Sequence, residues 1–290
     1  MPMPTEVIVE DSMPSETYHR DPAPQPSLSA SIAKILDRKS PLHAWTANPR
    51  LNPNYQDSEK EIFDLGTAAH SLLLEGIDKM VEMPFDDWRK KEAREQRDLV
   101  RRQGKLPVLS KYVSDIYLMI QIAKKALADS ELGLDLSSCF TERSIFWQQD
   151  GIWKRARLDA QSRQHHLILD YKSTDEADPY TFQRQIINLG YDIQAAHYCD
   201  AYRAAVPTCD RDPTFVFLVQ ERSAPFACSL VGVDPVFLGL GQQKIERAGK
   251  IWKRCNESNS WPSYSKSIFW AEPPAWALAD FERRSLGEQE

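Results

Sequence analysis

The chain has 290 residues, 42% of them hydrophobic, and carries 42 acidic against 36 basic side chains for a net charge of −6. That length suits one large domain or two modest ones, and no run approaches the roughly 18 apolar residues of a membrane helix. The proline-rich acidic start lacks the basic-then-apolar pattern of a secretory signal, and a negative chain is a poor general coat for nucleic acid, so any such contact has to lie in a local basic groove. The five cysteines are scattered and never spaced C-x-x-C, which points to a reduced cytoplasmic compartment and away from a zinc or iron–sulfur cage.

Residues 1–27 hold six of the nineteen prolines and little apolar periodicity, the pattern of a disordered arm. "SLSASIAKILDRK" predicts a short helix with Ser29 or Ser31 near its cap. "SEKEIFDLGTAAHSLLLEG" predicts a second, with Ile62, Leu65, Ala69, Leu72 and Leu73 at helical spacings and Gly76 as its stop. Residues 88–105 are charge-dense, a solvated helix or loop in the bland interpretation and a basic segment that touches phosphates in the other. Ser110 is placed to cap a helix over about residues 111–129.

The period then changes. "TERSIFWQQ" and "IWKRARLDA" flank Asp150-Gly151, a strong hairpin signal. "HHLILDYKS" is a third strand whose unbroken apolar run suggests burial on both faces. Residues 178–205 are helical with a break near Gly190, "PTFVFLVQE" and "FACSLVGVD" are two more strands, and a long helix follows from about Pro235 to Ser258. The tail is rich in tryptophan and proline. This order predicts one α/β domain with a mixed central sheet flanked by helices.

Asp170 and Lys172 are two residues apart on a strand, so both project from one face. Alone, D-x-K more often marks a strand leaving the core. The hairpin adds weight: with Asp150 and Gly151 as the turn, Gln149 pairs with Ile152, and counting back sets Glu142 opposite Asp159. Like charges directly opposed destabilise a sheet, and a hard divalent cation bridges them. Glu142, Asp159, Asp170 and Lys172 together are equipment for metal-assisted phosphodiester hydrolysis, the ion polarising the phosphate and the ammonium offsetting developing charge. Arg155 and Arg157 share the hairpin face of Asp159, to meet phosphates or simply to neutralise the carboxylates.

"RLDA" followed eleven residues after Asp159 by "DYK" resembles the PD-(D/E)xK nuclease signature. "YDIQAAHYCDAY" is similar to the Q-x-x-x-Y element of the lambda-exonuclease and RecB-like branch, at Gln194 and Tyr198. "GTAAHSLLLEG" resembles the G-x-x-x-H-x-L-L-L-E helix of RecE-type exodeoxyribonuclease VIII domains, as do "SLSASIAKIL…SPLHAW" and "WPSY…PPAW". The resemblance covers residues 28–278, leaving the arm (1–27) and a tail (279–290) outside, and does not account for the arginine-rich stretch near residue 95.

It implies a restriction-endonuclease-like core and a metal site of His70, Asp159 and Asp170, with Glu142 at its rim and Lys172 as catalytic lysine beside Asp159 and Asp170. Gln194 and Tyr198 would contact DNA, joined by Arg155 and Arg157, while His165, His166 and His197 are structural or exposed. The implied cofactor is Mg²⁺, or Mn²⁺ in its place, without an iron–sulfur cluster. The implied activity is exodeoxyribonuclease digestion of one strand of linear duplex DNA, 5′→3′, for phage-type recombination. The implied partners are double-stranded DNA ends, a single-strand annealing protein and further copies in a ring, in the cytoplasm of a bacterium whose phage or prophage encodes the chain. The alternatives are a structure-specific or nicking endonuclease on the same fold, or a catalytically silent DNA-binding scaffold; the intact acid–acid–lysine set argues against silence.

Overall fold

The computed structural model describes residues 4–56, 65–207 and 211–287. Its strands in chain order are β1 (Glu6–Glu10), β2 (Leu28–Ser29), β3 (Met80–Met83), β4 (Leu106–Leu109), β5 (Cys139–Gln149), β6 (Ile152–Ser162), β7 (Leu167–Thr174), β8 (Thr214–Glu221) and β9 (Cys228–Gly232). Its helices are α1 (Ser15–His19), α2 (Ala30–Arg38), α3 (Pro41–Thr46), α4 (Leu65–Glu75), α5 (Lys91–Arg102), α6 (Ser110–Asp129), α7 (Pro179–Asn188), α8 (Tyr191–Ala205), α9 (Pro235–Ser258) and α10 (Ala275–Gly287).

The main sheet runs β1-β5-β6-β7-β8-β9, with β2 joined to β6. Its ladders are antiparallel except β7–β8 and β2–β6, so the expected mixed sheet is present. β3 and β4 form a separate parallel pair. The β5–β6 hairpin closes at Asp150 (φ 55°) and Gly151 (φ 77°), and Gln149 pairs with Ile152. Positive φ at both central residues matches the twist of the flanking strands, which is why Asp-Gly serves here.

Helices cover both faces. Leu167, Leu169 and Tyr171 of β7 and Val216 and Leu218 of β8 pack with α4 and α6. Ile168 of β7 and Phe215, Phe217 and Val219 of β8 pack with α7 and α8. This two-sided burial is the reason for the unbroken apolar run in β7; each such side chain contributes about 1.5–3 kcal/mol. A third cluster joins α2, α3, α8 and α9 through Ile32, Leu36, Ile193, Ile245 and Trp252.

Local signals account for most helix ends. Ser29 Oγ accepts from Ile32 N–H at the start of α2, and Asp178 accepts from Thr181 N–H at the start of α7. Gly190 (φ 66°) separates α7 from α8, a left-handed turn that costs a glycine little. Ser110 is not the expected cap: it is the first residue of α6, and its hydroxyl donates instead to the Met83 carbonyl. The α4 helix begins at Leu65 among the described residues, so the predicted contribution of Ile62 lies outside them.

The described part of residues 1–27 corrects the expected disordered arm. The β-branched run Val7–Ile8–Val9 pairs with Ile145–Trp147 on the edge of β5, where an open row of backbone groups invites a strand. Tyr18 and Ala23 are buried against Phe146 and Trp153. The tail forms α10, with Trp276, Phe281 and Leu286 all exposed. Among the described residues no helix is long and apolar enough to cross a membrane.

Candidate active site

The sheet forks at Asp159. β6 pairs with β7 only through Ala160–Leu169 and Gln161–Ile168. One residue further, Asp159 and Asp170 would oppose each other. The ladder stops there, and Tyr171 N–H donates instead to Asp159 Oδ2 at 2.8 Å. Two facing carboxylates cannot share a tight cross-strand pair at low cost.

On the other side of β6 the counted register holds. Thr141 pairs with Ala160 and Arg143 with Leu158, so Glu142 stands across from Asp159 with no net shift. Glu142 itself adopts φ 53°, a left-handed backbone uncommon outside glycine, asparagine and aspartate. Its carboxylate forms an ion pair with Arg157.

The helix α4 brings the third group. Gly66 makes the approach possible, because a Cβ there would lie 2.1 Å from Ser173 Oγ and 2.4 Å from Ser173 Cβ on β7. One turn on, His70 Nε2 lies 3.0 Å from Asp159 Oδ2, and its ring tilts over Tyr171 at 5.6 Å. One ligand atom each from His70, Glu142 and Asp159 fall within 4.8 Å of one another. An imidazole nitrogen and two carboxylate oxygens form a donor set that suits a divalent cation.

Asp170, the fourth expected ligand, is not part of that tight trio. It is fully buried; Gln194 Nε2 donates to its Oδ1 at 2.7 Å, and Lys172 Nζ pairs with its Oδ2. Both oxygens of Asp170 thus have a protein partner, Gln194 at Oδ1 and Lys172 at Oδ2.

The charges are strongly coupled. Burial and then Asp159 raise the Asp170 carboxyl to about 6, against the pull of Lys172. Burial and Asp159 also raise Glu142, with Arg157 opposing. For His70, burial works against the charged ring, but Asp159 outweighs it and lifts the pKa to about 8. Asp159 shows the converse: burial would raise it, and His70 with Lys172 and the Tyr171 N–H hold it low. Lys172 is likewise held above its ordinary value, Asp170 and Asp159 overcoming its burial. An excess of carboxylate with raised proton affinity is what a bound cation relieves.

A cavity of about 350 Å³ opens on this cluster, lined by His70, Glu142, Asp159, Arg155, Arg157 and Tyr198 among others. Tyr198 is half-buried in its wall, its hydroxyl held far above the usual range chiefly by burial. Arg155 departs from the expected phosphate contact. It is buried, 3.0 Å from Asp21 Oδ2, and donates to Ser27. Arg157 donates to Glu142, to the Met13 carbonyl and to Ser144. Arg155 is thus paired with Asp21 and Arg157 with Glu142, and both line the cavity. Gln194 faces Asp170 rather than the cavity mouth. His197 is buried and its Nε2 lies 3.0 Å from the Arg155 carbonyl, and His166 Nδ1 meets the Tyr202 hydroxyl at 2.9 Å.

One cation had no signal in the sequence. Lys34 of α2 reaches Gln194 Oε1 at 3.3 Å and stands 5.0 Å from the centre of the Tyr191 ring, which Lys172 approaches at 5.1 Å. Burial and then Lys172 lower its pKa to about 8. A single lysine on an amphipathic helix carries no mark of such a place.

A model of the PDDEXK-like domain of unknown function, DUF3799, matches residues 29–270. The chain belongs to that family. The fork between β6 and β7 brings Asp159 beside the Asp170–Lys172 pair. The fold is shared with the crystal structure of a "putative exonuclease" from Eubacterium rectale, at 14% identity and a TM-score of 0.60, over 93% of this chain and 98% of that one. No curated protein matches the sequence.

Proposed function

We propose that this protein is a metal-dependent exodeoxyribonuclease of the RecE type, acting on the ends of linear duplex DNA. The observation that carries the reading is the convergence of His70, Glu142 and Asp159 within 4.8 Å of one another, next to the Asp170–Lys172 pair. The E. rectale neighbour, described as an exonuclease, supports it. A 5′→3′ polarity, a phage-type recombination role and hand-over of the product strand to an annealing protein follow from the resemblance of the Q-x-x-x-Y and G-x-x-x-H segments.

In this reading His70, Glu142 and Asp159 would hold Mg²⁺ or Mn²⁺, next to the Asp170–Lys172 pair. The ion supplies polarisation of the scissile phosphate and a lowered pKa for water. Lys172 remains protonated between Asp170 and Tyr191 and faces the negative charge that grows as the phosphodiester is attacked. Gln194 fixes the Asp170 carboxylate so that one oxygen points away from Lys172. Arg157 offsets the charge of Glu142 beside Asp159.

Association of several copies around the duplex is part of the proposal. It is supported by α10, whose Trp276, Phe281 and Leu286 are 70–74% exposed. Large apolar groups clustered in the open commonly mark a contact surface, and a second copy is the partner a ring requires.

The test is digestion of linear and covalently closed duplex DNA of one sequence, with Mg²⁺ and with EDTA. Mg²⁺-dependent loss of linear DNA alone is expected. Equal cutting of both forms would replace the exonuclease with an endonuclease, and no cutting of either would leave a DNA-binding scaffold.

A further inference from the structure

We propose that the N-terminal arm, residues 5–27, is the outer wall of the catalytic cavity and restricts it to the terminus of a single strand. This rests on the nuclease reading above. The family match begins at residue 29, so the arm lies outside the matched residues.

Three arm side chains, Ser15, Tyr18 and His19, line the same cavity as His70, Glu142 and Asp159. Independent anchors hold them there. β1 adds five residues to the β5 edge. The Met13 carbonyl accepts from Arg157 Nη1 at 2.7 Å, and the same arginine pairs with Glu142. The Tyr18 ring faces the guanidinium groups of Arg155 and Arg157 at 5.6 and 5.9 Å. Asp21, only 1% exposed, pairs with Arg155 at 3.0 Å and accepts from Ser27 N–H and Oγ at 2.8 and 2.6 Å and from Asn48 Nδ2 at 3.4 Å. A strap that merely covered a sheet edge would need β1 alone. Residues 13–21 instead pass beside the carboxylates and tie into the arginine that holds one of them.

The consequence is steric. A cavity of about 350 Å³ has the volume of a small-molecule pocket. It cannot take a duplex, whose major groove alone is about 12 Å wide. An internal phosphodiester carries chain on both sides of the scissile bond, and a terminal one on one side only. Tyr18 and His19 fill space beside the carboxylates that the second stretch of chain would need. End selectivity then originates in this wall, within one copy of the protein, whether or not copies assemble into a ring.

The experiment compares linear and covalently closed single-stranded DNA of one sequence as substrates for the full-length wild type and for the double variant Tyr18→Ala/His19→Ala, with Mg²⁺. The ratio of circle to linear cleavage should rise by at least about tenfold in the variant, the effect of removing a modest barrier. An unchanged ratio in a variant that melts cooperatively would overturn the wall and leave the nuclease reading intact. Should the double variant fail to fold, hydrogen exchange on the wild type decides, with a short 5′-phosphorylated oligothymidylate in Ca²⁺ as probe. Slowed exchange in residues 13–21 together with α4 and β6 supports the wall; slowing in α4 and β6 alone overturns it. Absence of both cleavage of single-stranded DNA and oligonucleotide binding would overturn the wall, while the nuclease reading is decided separately by the duplex digestion above.

Discussion

Asp170 and Lys172 occupy one face of β7, yet they have different tasks and should fail differently. Asp170 is fully buried and its carboxyl is raised to about 6 by burial and by Asp159. Asp170→Asn keeps the shape and the Gln194 contact while removing a charge that the folded state tolerates poorly. Mg²⁺-dependent digestion should fall by at least about 10²-fold, the scale of losing an electrostatic group at the reacting centre. The metal-free melting temperature should hold or rise, and a fall of several degrees would contradict this account. Lys172→Ala should lower turnover by about 10²–10⁴-fold with a far smaller loss of DNA affinity, measured with Ca²⁺ in place of Mg²⁺. Equal losses in rate and affinity would make Lys172 a plain phosphate contact.

His197 is the residue through which pH should act on stability. Burial, then Lys154, lowers its pKa from 6.5 to about 3, and its Nε2–H faces the Arg155 carbonyl. The unfolded chain therefore takes up a proton that the folded chain refuses. Stability from this group is complete above about pH 6.5 and is lost as pH falls toward 3; about 2 kcal/mol should be gone by pH 5. Urea unfolding at pH 7 and pH 5 should show that loss in the wild type, and His197→Gln should reduce it by most of that amount. An identical pH slope in the variant would assign the effect to other groups.

At the scale of elements, the site depends on how closely α4 approaches β7. Gly66 has no room for a side chain against Ser173, three positions from Asp170 and one from Lys172. Gly66→Ala must push the helix outward or displace Ser173, at about 1–3 kcal/mol for overpacking. His70 is one helical turn along the same element, so it should move away from Asp159 as well. The expected result is a lower melting temperature together with weaker metal binding, read by Mn²⁺ titration. A destabilised variant with unchanged Mn²⁺ affinity would show that α4 adjusts without moving His70. The fork between β6 and β7 belongs to this scale too: a ladder continued by one more pair would bring Asp159 and Asp170 face to face.

At the scale of the whole molecule, the proposed function asks an acidic body to hold a polyanion. The net charge of −6 repels DNA at long range, so affinity has to come from local phosphate contacts and should fall steeply with salt through counterion release. The exposed apolar side chains of α10 give a second expectation. The solution mass should exceed that of one chain, and Trp276→Ser/Phe281→Ser should return it to the monomer without lowering the melting temperature, since both side chains lie in solvent in the isolated chain. A wild type that is monomeric at assay concentration would rule out the ring.

The sequence alone determined what is local or periodic. The Asp150-Gly151 turn, the two-sided apolar run of β7, the Gly190 break and the spacing of Asp159, Asp170 and Lys172 all depend on neighbours in the chain, and the hairpin count reached across strands to set Glu142 opposite Asp159. Arm and cation were not legible in the same way. Val7–Ile8–Val9 is a strand because β5 presents an open edge more than 130 residues later, and six prolines nearby hide that pattern. Lys34 joins the site because α2 packs across α8, and Arg155 lines the cavity already paired because Asp21 lies buried beside it. Asp170 stands apart from the tight ligand trio because Gln194 and Lys172 hold it. Each of these is a meeting of charges or backbone edges from distant segments. Pairings of that kind carry no local periodicity, so only the folded chain decides them.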